Sequence, residues 1–250
     1  MTAHTKAETR ARHFTADSAT GLPVLHTTVC EEALAELGIT KKRATSCISL
    51  KDLDSGNLSE DQRGQLRFAP TAEVVRLEGS NDLWFRMNAK NWATVFTILP
   101  GNLVVLTAEY KHGADIISVV SPSGVPKKGE SMADCGKREF EEETGIVLAG
   151  VLPLSTSEGL ALSSRKSTER VFPFVGYPAT DSGGTLIIGN QKLDKNENLK
   201  VFLMPLIEYW SWISSSHYDN EAATRDAAYA ALRELGYFQL YLPGNVAKRP

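Results

Sequence analysis

Residues 124–146, GVPKKGESMADCGKREFEEETGI, contain the clearest structural signal in the chain. Ser131 can cap the first turn of a helix, and Asp134 stands three residues later, where a capping box usually has Glu. Gly145 can end the same helix, because glycine adopts the left-handed conformation at low cost. The stretch therefore predicts a loop followed by a helix between Ser131 and Gly145.

Three glutamates of this predicted helix are spaced i, i+3 and i+4: Glu139, Glu142 and Glu143. This spacing places their carboxylates on one face of the helix, where like charges repel. The arrangement becomes favourable when hard divalent cations bind among the oxygens, which are the ligands that magnesium prefers. The alternative interpretation is a solvated acidic face, since runs of charge are usually surface features.

The residues around the glutamates extend the pattern. Residues 124–146 resemble the box of the Nudix hydrolase family. The pattern is Gly124, five residues, Glu130, seven residues, Arg138-Glu139-Phe140, one residue, Glu142-Glu143, one residue and Gly145-Ile146. The resemblance implies an α+β fold, an α/β/α sandwich whose central mixed sheet lies between helices, with the box forming a loop-helix-loop. It also implies an enzyme in which water attacks a phosphorus of a nucleoside diphosphate linked to another group.

The same resemblance implies a role for each box residue. The expected metal ligands, for magnesium or manganese, are Glu139, Glu142 and Glu143. The expected catalytic residues in the box are Glu142, Glu143 and Arg138, and the supporting residues are Gly124, Glu130 and Gly145. The chemistry of the side chains agrees with this assignment, because the fork-shaped guanidinium of Arg138 can hold Glu130 or a helix carboxylate in a set rotamer.

A second resemblance, to the subfamily that hydrolyses ADP-ribose and other ADP-sugars, depends on segments outside the box. Residues 108–113, which include Tyr110 and Lys111, resemble the end of a strand in that subfamily, and Thr168-Glu169-Arg170 resembles its Ser-Glu-Arg step. Residues 196–199 are placed like the acidic loop that supplies a catalytic glutamate. The resemblance thus implies Tyr110, Lys111 and Glu169 as substrate-binding residues and Glu197 as a candidate general base.

Two departures from that subfamily concern the substrate. The loop at 160–165, LALSSR, lacks the proline that the subfamily usually has there, and Lys111 replaces an arginine, which keeps the charge but loses the bidentate fork. A GDP-sugar, a dinucleotide or a damaged nucleotide therefore stays open as the substrate. A sensor that binds nucleotide sugars without cleaving them is a further alternative, since fold alone does not settle function.

Bulk composition narrows the class of protein. The 250 residues are 42% hydrophobic and 23% charged, enough for a sizeable core, and the formal net charge of -3 argues against a nucleic acid partner. No stretch is long and apolar enough to cross a bilayer, so a cytoplasmic protein without a membrane partner is expected. The 3 cysteines have no paired spacing, and Cys135 is expected to be structural.

The chain divides by pattern near residue 70. Residues 1–70 are polar and turn-rich and form an N-terminal extension with one predicted helix, Cys30 to Leu37, ended by Gly38. Residues 71–250 form the predicted Nudix hydrolase domain. By the subfamily resemblance its early strands exchange between two subunits, which implies a homodimer. The further strands and helices predicted in this domain are strands at 72–77, 83–87, 92–99, 103–108, 116–120, 147–154, 170–177, 185–188 and 199–204, and helices at 206–214 and 220–235.

Overall fold

The computed structural model describes residues 13–42, 56, 58–60, 62–63, 71–76, 78–79, 82–111, 115–163, 166–193, 198–215 and 222–237. In this part of the chain the strands are β1 (Phe14–Ala16), β2 (Pro23–Leu25), β3 (Thr71–Arg76), β4 (Leu83–Asn88), β5 (Trp92–Leu99), β6 (Leu103–Lys111), β7 (Ile116–Val120), β8 (Ser123–Gly124), β9 (Leu148–Pro153), β10 (Leu160–Ala161), β11 (Arg170–Pro178) and β12 (Lys200–Pro205). The helices are α1 (Glu31–Glu36), α2 (Met132–Thr144), α3 (Leu206–Ile213) and α4 (Ala222–Glu234).

One large sheet of mixed direction organises the described residues. Its strands follow the order β1-β2-β12-β6-β5-β11-β10, while β7 pairs with β6, β8 with β5 and β9 with β11. The pairs β5–β11 and β2–β12 are parallel, and the other pairs in the sheet are antiparallel. The predicted mixed sheet is therefore confirmed.

Alternate residues of the central strands enter two different cores, one on each face of the sheet. On β5, Phe96 belongs to the core that also contains side chains of α1, α3 and α4. Its neighbour Val95 belongs to the core that contains Cys135 and Phe140 of α2. Strands β6 and β12 alternate in the same way, since a strand points successive side chains to opposite faces. Helices cover both faces, so the predicted α/β/α sandwich is confirmed.

The N-terminal residues take part in this sheet. Val24 of β2 pairs with Leu203 of β12, and Leu25 and Leu34 are buried in the core of the α3–α4 face. Helix α1 agrees with the predicted Cys30–Leu37 helix, and Gly38 after it has φ +84°. A boundary between two domains at residue 70 stays a prediction.

Some predicted elements differ from the structure. Residues 185–188 were expected to form a strand, but they make only isolated bridges, such as Ile146 with Ile188. Strands β1, β2 and β10 have only two or three residues each and carried no alternating pattern that could reveal them. No helix within the described ranges is long and apolar enough to span a membrane.

Candidate active site

Helix α2 begins and ends where local sequence signals place it. The Ser131 hydroxyl accepts a hydrogen bond from the Asp134 amide at 3.1 Å, and Gly145 adopts the left-handed conformation with φ +74°. Gly136 faces the sheet, where an added Cβ would lie 3.0 Å from Val95 Cγ2. The helix therefore packs closely on β5, and this fixes the direction in which its glutamates project.

The C-terminal end of α2 is held by a distant segment of the chain. The Gly189 amide donates to the Gly145 carbonyl at 2.6 Å, and the Lys192 amide donates to the Glu142 carbonyl at 2.7 Å. Gln191 Nε2 donates to the Glu143 carbonyl at 2.6 Å. These bonds satisfy carbonyls that a helix leaves without intrahelical partners. No sequence signal identified Gln191 or Lys192 as part of the site.

Gly124 lies directly against a glutamate of α2. It is in β8, opposite Ala93 of β5, and a Cβ at this position would be 2.2 Å from Glu139 Cδ. That separation is far inside van der Waals contact, so another residue type would displace the Glu139 carboxylate. Sequence reasoning expected Gly124 to permit a tight loop, whereas the structure shows that close approach of a carboxylate requires the glycine.

Arg138 is at the centre of a network of carboxylates. Its Nε and Nη2 donate to the two oxygens of Glu130 at 2.7 and 2.9 Å, a bidentate pair. Its Nη1 lies 2.8 Å from Glu142 Oε2 and 2.8 Å from Glu139 Oε1, and its Nη2 donates to the Val125 carbonyl at 3.3 Å. One guanidinium thus joins the start of the box to two glutamates of the helix face.

The electrostatics of this network keep Glu130 ionised. Hydrogen bonds from Arg138 lower the pKa of Glu130 to about 2, and the Lys127 amide donates to the same carboxylate at 2.7 Å. The bond to Glu130 also raises the pKa of Arg138. A charged and rigid Glu130–Arg138 pair can restrict the rotamers of Glu139 and Glu142. The Nζ atom of Lys127 also lies 3.5 Å from Glu142 Oε1, and the sequence did not indicate this residue as part of the site.

Glu143 occupies a different environment from Glu142. Its side chain is buried, with the residue 6% exposed, and Oε2 accepts a hydrogen bond from the Ser123 amide at 3.3 Å. Within the described ranges, no group of three or more His, Cys, Asp or Glu side chains converges as a formed metal site. Glu139 and Glu142 instead face Arg138. Glu139 and Glu142 therefore share Arg138, whereas Glu143 is held by the Ser123 amide.

Comparison with known proteins decides the family. The sequence model of the family described as "NUDIX domain" matches residues 90–226, which are more than half of the chain. The chain belongs to the Nudix family. This confirms the family resemblance of residues 124–146, and the protein is a Nudix hydrolase that acts on a nucleoside diphosphate derivative. No curated protein matches the sequence significantly.

A solved structure of a protein described as an ADP compounds hydrolase has the same fold. It superposes with a TM-score of 0.51 at 16% sequence identity, covering 68% of this chain and 97% of the other. At this identity the likeness concerns the fold alone. It confirms the Nudix fold and leaves the substrate of this Nudix hydrolase to be argued from its own residues.

Cys135 has the properties of a packing residue in this Nudix hydrolase. It is fully buried among the side chains between α2 and the sheet. Burial, helped by the nearby charge of Glu139, raises the pKa of its thiol to about 12. A thiol with this pKa contains little of the nucleophilic thiolate at neutral pH.

The substrate-binding residues predicted outside the Nudix box lie on two segments. Tyr110 Oη donates to Asp115 at 2.8 Å and Lys111 pairs with Glu109, so these polar contacts stay within the β6–β7 hairpin. Glu169 Oε1 accepts a hydrogen bond from the indole of Trp92 at 2.9 Å. This bond joins two segments that are distant in sequence, and no local pattern identified it. Glu197 lies outside the described residues.

Two cavities flank the Nudix box. The smaller, about 270 Å³, is next to the C-terminal half of α2 and is lined partly by Arg138, Glu142 and Lys192. The larger, about 450 Å³, is next to the start of the helix and includes Val125 and Met132. Glu142 therefore lines one of these cavities, and residues of the box loop line the other.

Proposed function

We propose that this Nudix hydrolase cleaves the diphosphate of ADP-ribose or a related nucleoside diphosphate sugar, in a magnesium-dependent reaction, to a nucleoside monophosphate and a sugar phosphate. The observation that carries the proposal is the carboxylate face of α2. Glu139 and Glu142 meet at Arg138, and Glu143 lies beside them under the Ser123 amide. Such a face, next to a cavity that Arg138 and Glu142 line, suits a cation-bound diphosphate.

The residues fit a hard divalent cation in two respects. Carboxylate oxygens are the donors that magnesium prefers, and Gly124 leaves the space in which the Glu139 carboxylate lies against the backbone. Glu139, Glu142 and Glu143 would hold magnesium or manganese through their carboxylate oxygens. The bound cations would supply activation of water and neutralisation of charge on the diphosphate.

The chain's own residues have separate tasks in this proposal. Arg138 remains anchored on Glu130 through its bidentate pair, so its Nη1 can orient Glu142 without leaving its position. The Ser123 amide orients Glu143. Glu197 is proposed as the general base on the subfamily layout. Positioning and electrostatic stabilisation then account for most of the rate enhancement.

The substrate class rests on residues outside the box. The segments around Tyr110, Glu169 and Glu197 resemble the ADP-sugar subfamily, and the structural neighbour carries the name ADP compounds hydrolase. Lys111 and the loop at 160–165 depart from that subfamily. A GDP-sugar or a dinucleotide is therefore the second candidate. Retention of all the box glutamates favours an enzyme over a non-hydrolytic sensor.

A substrate panel tests the proposal. The protein is incubated with magnesium and, in turn, ADP-ribose, ADP-glucose, a GDP-sugar, a dinucleotide and a nucleoside triphosphate, and the nucleoside monophosphate formed is measured by anion-exchange chromatography. We expect the highest kcat/KM with an ADP-sugar and no turnover in excess EDTA. Tight binding of one compound without turnover of any compound would contradict the enzymatic proposal and support the sensor.

We also propose that residues 71–250 act as a homodimer through the hairpin of β3 and β4. The hairpin forms a separate two-stranded sheet. One of its faces carries Val74, Leu83, Phe85 and Met87, which are 68%, 64%, 56% and 39% exposed. A two-stranded ribbon with an uncovered apolar face is unstable by itself, and such patches mark interaction sites.

Charge on that face should separate the dimer. Val74 and Phe85 lie opposite each other, so the double substitution Val74→Lys/Phe85→Lys places like charges in the proposed interface. We expect the wild type to have twice the mass of one chain by size-exclusion chromatography with light scattering, and the variant to have the mass of one chain. Thr71→Lys, on the opposite face, is the matched control and should remain dimeric. A monomeric wild type would contradict the proposal.

A further inference from the structure

The cavity of about 450 Å³ beside the start of α2 has no part in the metal chemistry of the box. Its volume is within the range of small-molecule sites. Four parts of the chain form it: the end of β4 with its connection to β5, the loop after β8, the first residue of α2, and Thr168 before β11. The described residues that line it are Asn88, Ala89, Lys90, Asn91, Val125, Pro126, Met132 and Thr168.

The cavity is connected to the carboxylates through the box loop. Val125 lines the cavity and follows Gly124, which lies against the Glu139 carboxylate. The carbonyl of Val125 accepts a hydrogen bond from Arg138 at 3.3 Å. A phosphate held at the carboxylates would therefore have its attached group within reach of this cavity.

The wall opposite the box is fixed by Thr168. Its hydroxyl accepts a hydrogen bond from the Ala89 amide at 3.1 Å and donates to Asn88 Oδ1 at 3.0 Å, while its amide donates to the Met87 carbonyl at 2.9 Å. Asn91 is held in turn, since its Oδ1 accepts from the Arg170 amide at 2.9 Å. A wall with these bonds needs little ordering when a ligand binds, which favours affinity.

The chemistry of the lining distinguishes between the two ends of a nucleoside diphosphate sugar. None of the described residues that line this cavity is aromatic and none is acidic. A nucleobase in this cavity would have no aromatic ring on which to stack. The hydroxyl groups of a sugar could form hydrogen bonds with the carboxamide of Asn91, the hydroxyl of Thr168 and the ammonium of Lys90. The smaller cavity, lined by Arg138 and Glu142, is suited to charged groups instead.

We propose that the Asn91–Thr168 cavity is the specificity site for the group attached to the nucleoside diphosphate, and that it takes a hydroxylated sugar in preference to a second base. The inference rests on the proposed function, because it names the substrate-selecting part of the same active site. Asn91, Thr168 and Lys90 are its specificity-determining residues, and Ala89 sets its width.

Two substrates that differ only beyond the diphosphate test the assignment. ADP-ribose carries the sugar, and ADP methyl ester does not. Ala89→Leu should fill part of the cavity, so we expect the KM for ADP-ribose to rise tenfold or more while kcat changes less than twofold. The KM for ADP methyl ester should not change. Ala149→Leu, an exposed strand position on β9, is the matched control and should leave both KM values unchanged.

Lys90→Met supplies a second variant, at an exposed residue where folding is not at risk. It should raise the KM for ADP-ribose about threefold, as expected for loss of one hydrogen bond of modest net strength, without changing the KM for the methyl ester. Equal changes for both substrates, or none for either in both variants, would overturn the assignment.

Failure of the proposed function would be visible separately. If the wild type turns over neither compound, calorimetric titration with ribose 5-phosphate decides about the cavity. Binding to the wild type that is lost in Ala89→Leu would retain the cavity as a sugar site. Absence of binding to the wild type would overturn it.

Discussion

Glu142→Gln and Glu143→Gln are each expected to lower kcat by about a thousandfold or more, which is the scale of removing a charge-stabilising group from an active site. Glutamine keeps the shape of the side chain and one oxygen acceptor but loses the negative charge that a divalent cation requires. The fold should remain intact, because Glu142 is part-exposed and glutamine can still accept the hydrogen bond of Glu143 from the Ser123 amide. Turnover, the circular dichroism spectrum and calorimetric titration with Mn²⁺ are the measurements.

Glu141→Gln is the matched control for this pair. Glu141 lies in sequence between Glu139 and Glu142, but it pairs with Lys137 and accepts a hydrogen bond from the Leu148 amide at 2.9 Å. Glutamine can keep the bond to Leu148, so turnover and Mn²⁺ binding should remain close to those of the wild type. Unchanged activity in both Glu142→Gln and Glu143→Gln would rule out the proposed metal site.

Arg138→Met is expected to lower both activity and stability. It leaves the Glu130 carboxylate, whose side chain is 14% exposed, without its bidentate partner. Loss of a hydrogen-bonded charge partner at such a site costs about 2 kcal/mol of unfolding free energy. Glu142 also loses its contact with Nη1, so kcat should fall about a hundredfold if Arg138 orients this ligand, a typical effect of losing a supporting partner. Lys137→Met, which removes only a surface ion pair, should change stability by less than about 0.5 kcal/mol.

The stability difference between wild type and Arg138→Met should depend on pH. The pKa of Glu130 is lowered from 4.5 to about 2 in the folded state, chiefly by Arg138. A lowered folded-state pKa contributes stability above pH 4.5, and this contribution is lost as the pH falls towards 2. Urea unfolding at pH 7, 4.5, 3 and 2 should therefore show the difference shrinking through the lower values. A difference that is constant with pH would contradict the Glu130–Arg138 pair as its source.

The parts of the fold that were predicted correctly depend on local signals. Helix α2 has a serine cap, a terminal glycine and a face that packs on the sheet, and each of these features predicts a helix with the same bounds. The long strands β5, β6, β11 and β12 showed apolar runs of the right length. Short strands such as β1 and β10 were not predicted, because two or three residues are too few to show the alternation of apolar and polar residues that indicates a strand.

The incorrect strand at 185–188 has a physical explanation. Of its three apolar residues, Leu186 packs on the core that contains Cys135 and Phe140 of α2, whereas Ile187 and Ile188 are 42% and 40% exposed and the segment makes only isolated bridges. The segment is therefore apolar, as the sequence indicates, but it does not pair along its length with another strand. Burial against a helix and pairing in a sheet can give the same short apolar run.

The sequence by itself determined the chemical inventory and the local frame: a capped helix with Glu139, Glu142 and Glu143 on one face, and an arginine able to hold a carboxylate. Tertiary structure decided the rest. It showed that Gly124 is needed where Glu139 meets the backbone, that residues 189–192 hold the end of the helix, and that Glu169 binds the indole of Trp92. These contacts join segments that are distant along the chain. They depend on strand register and helix packing, whereas caps and periodicity act only over one or two turns.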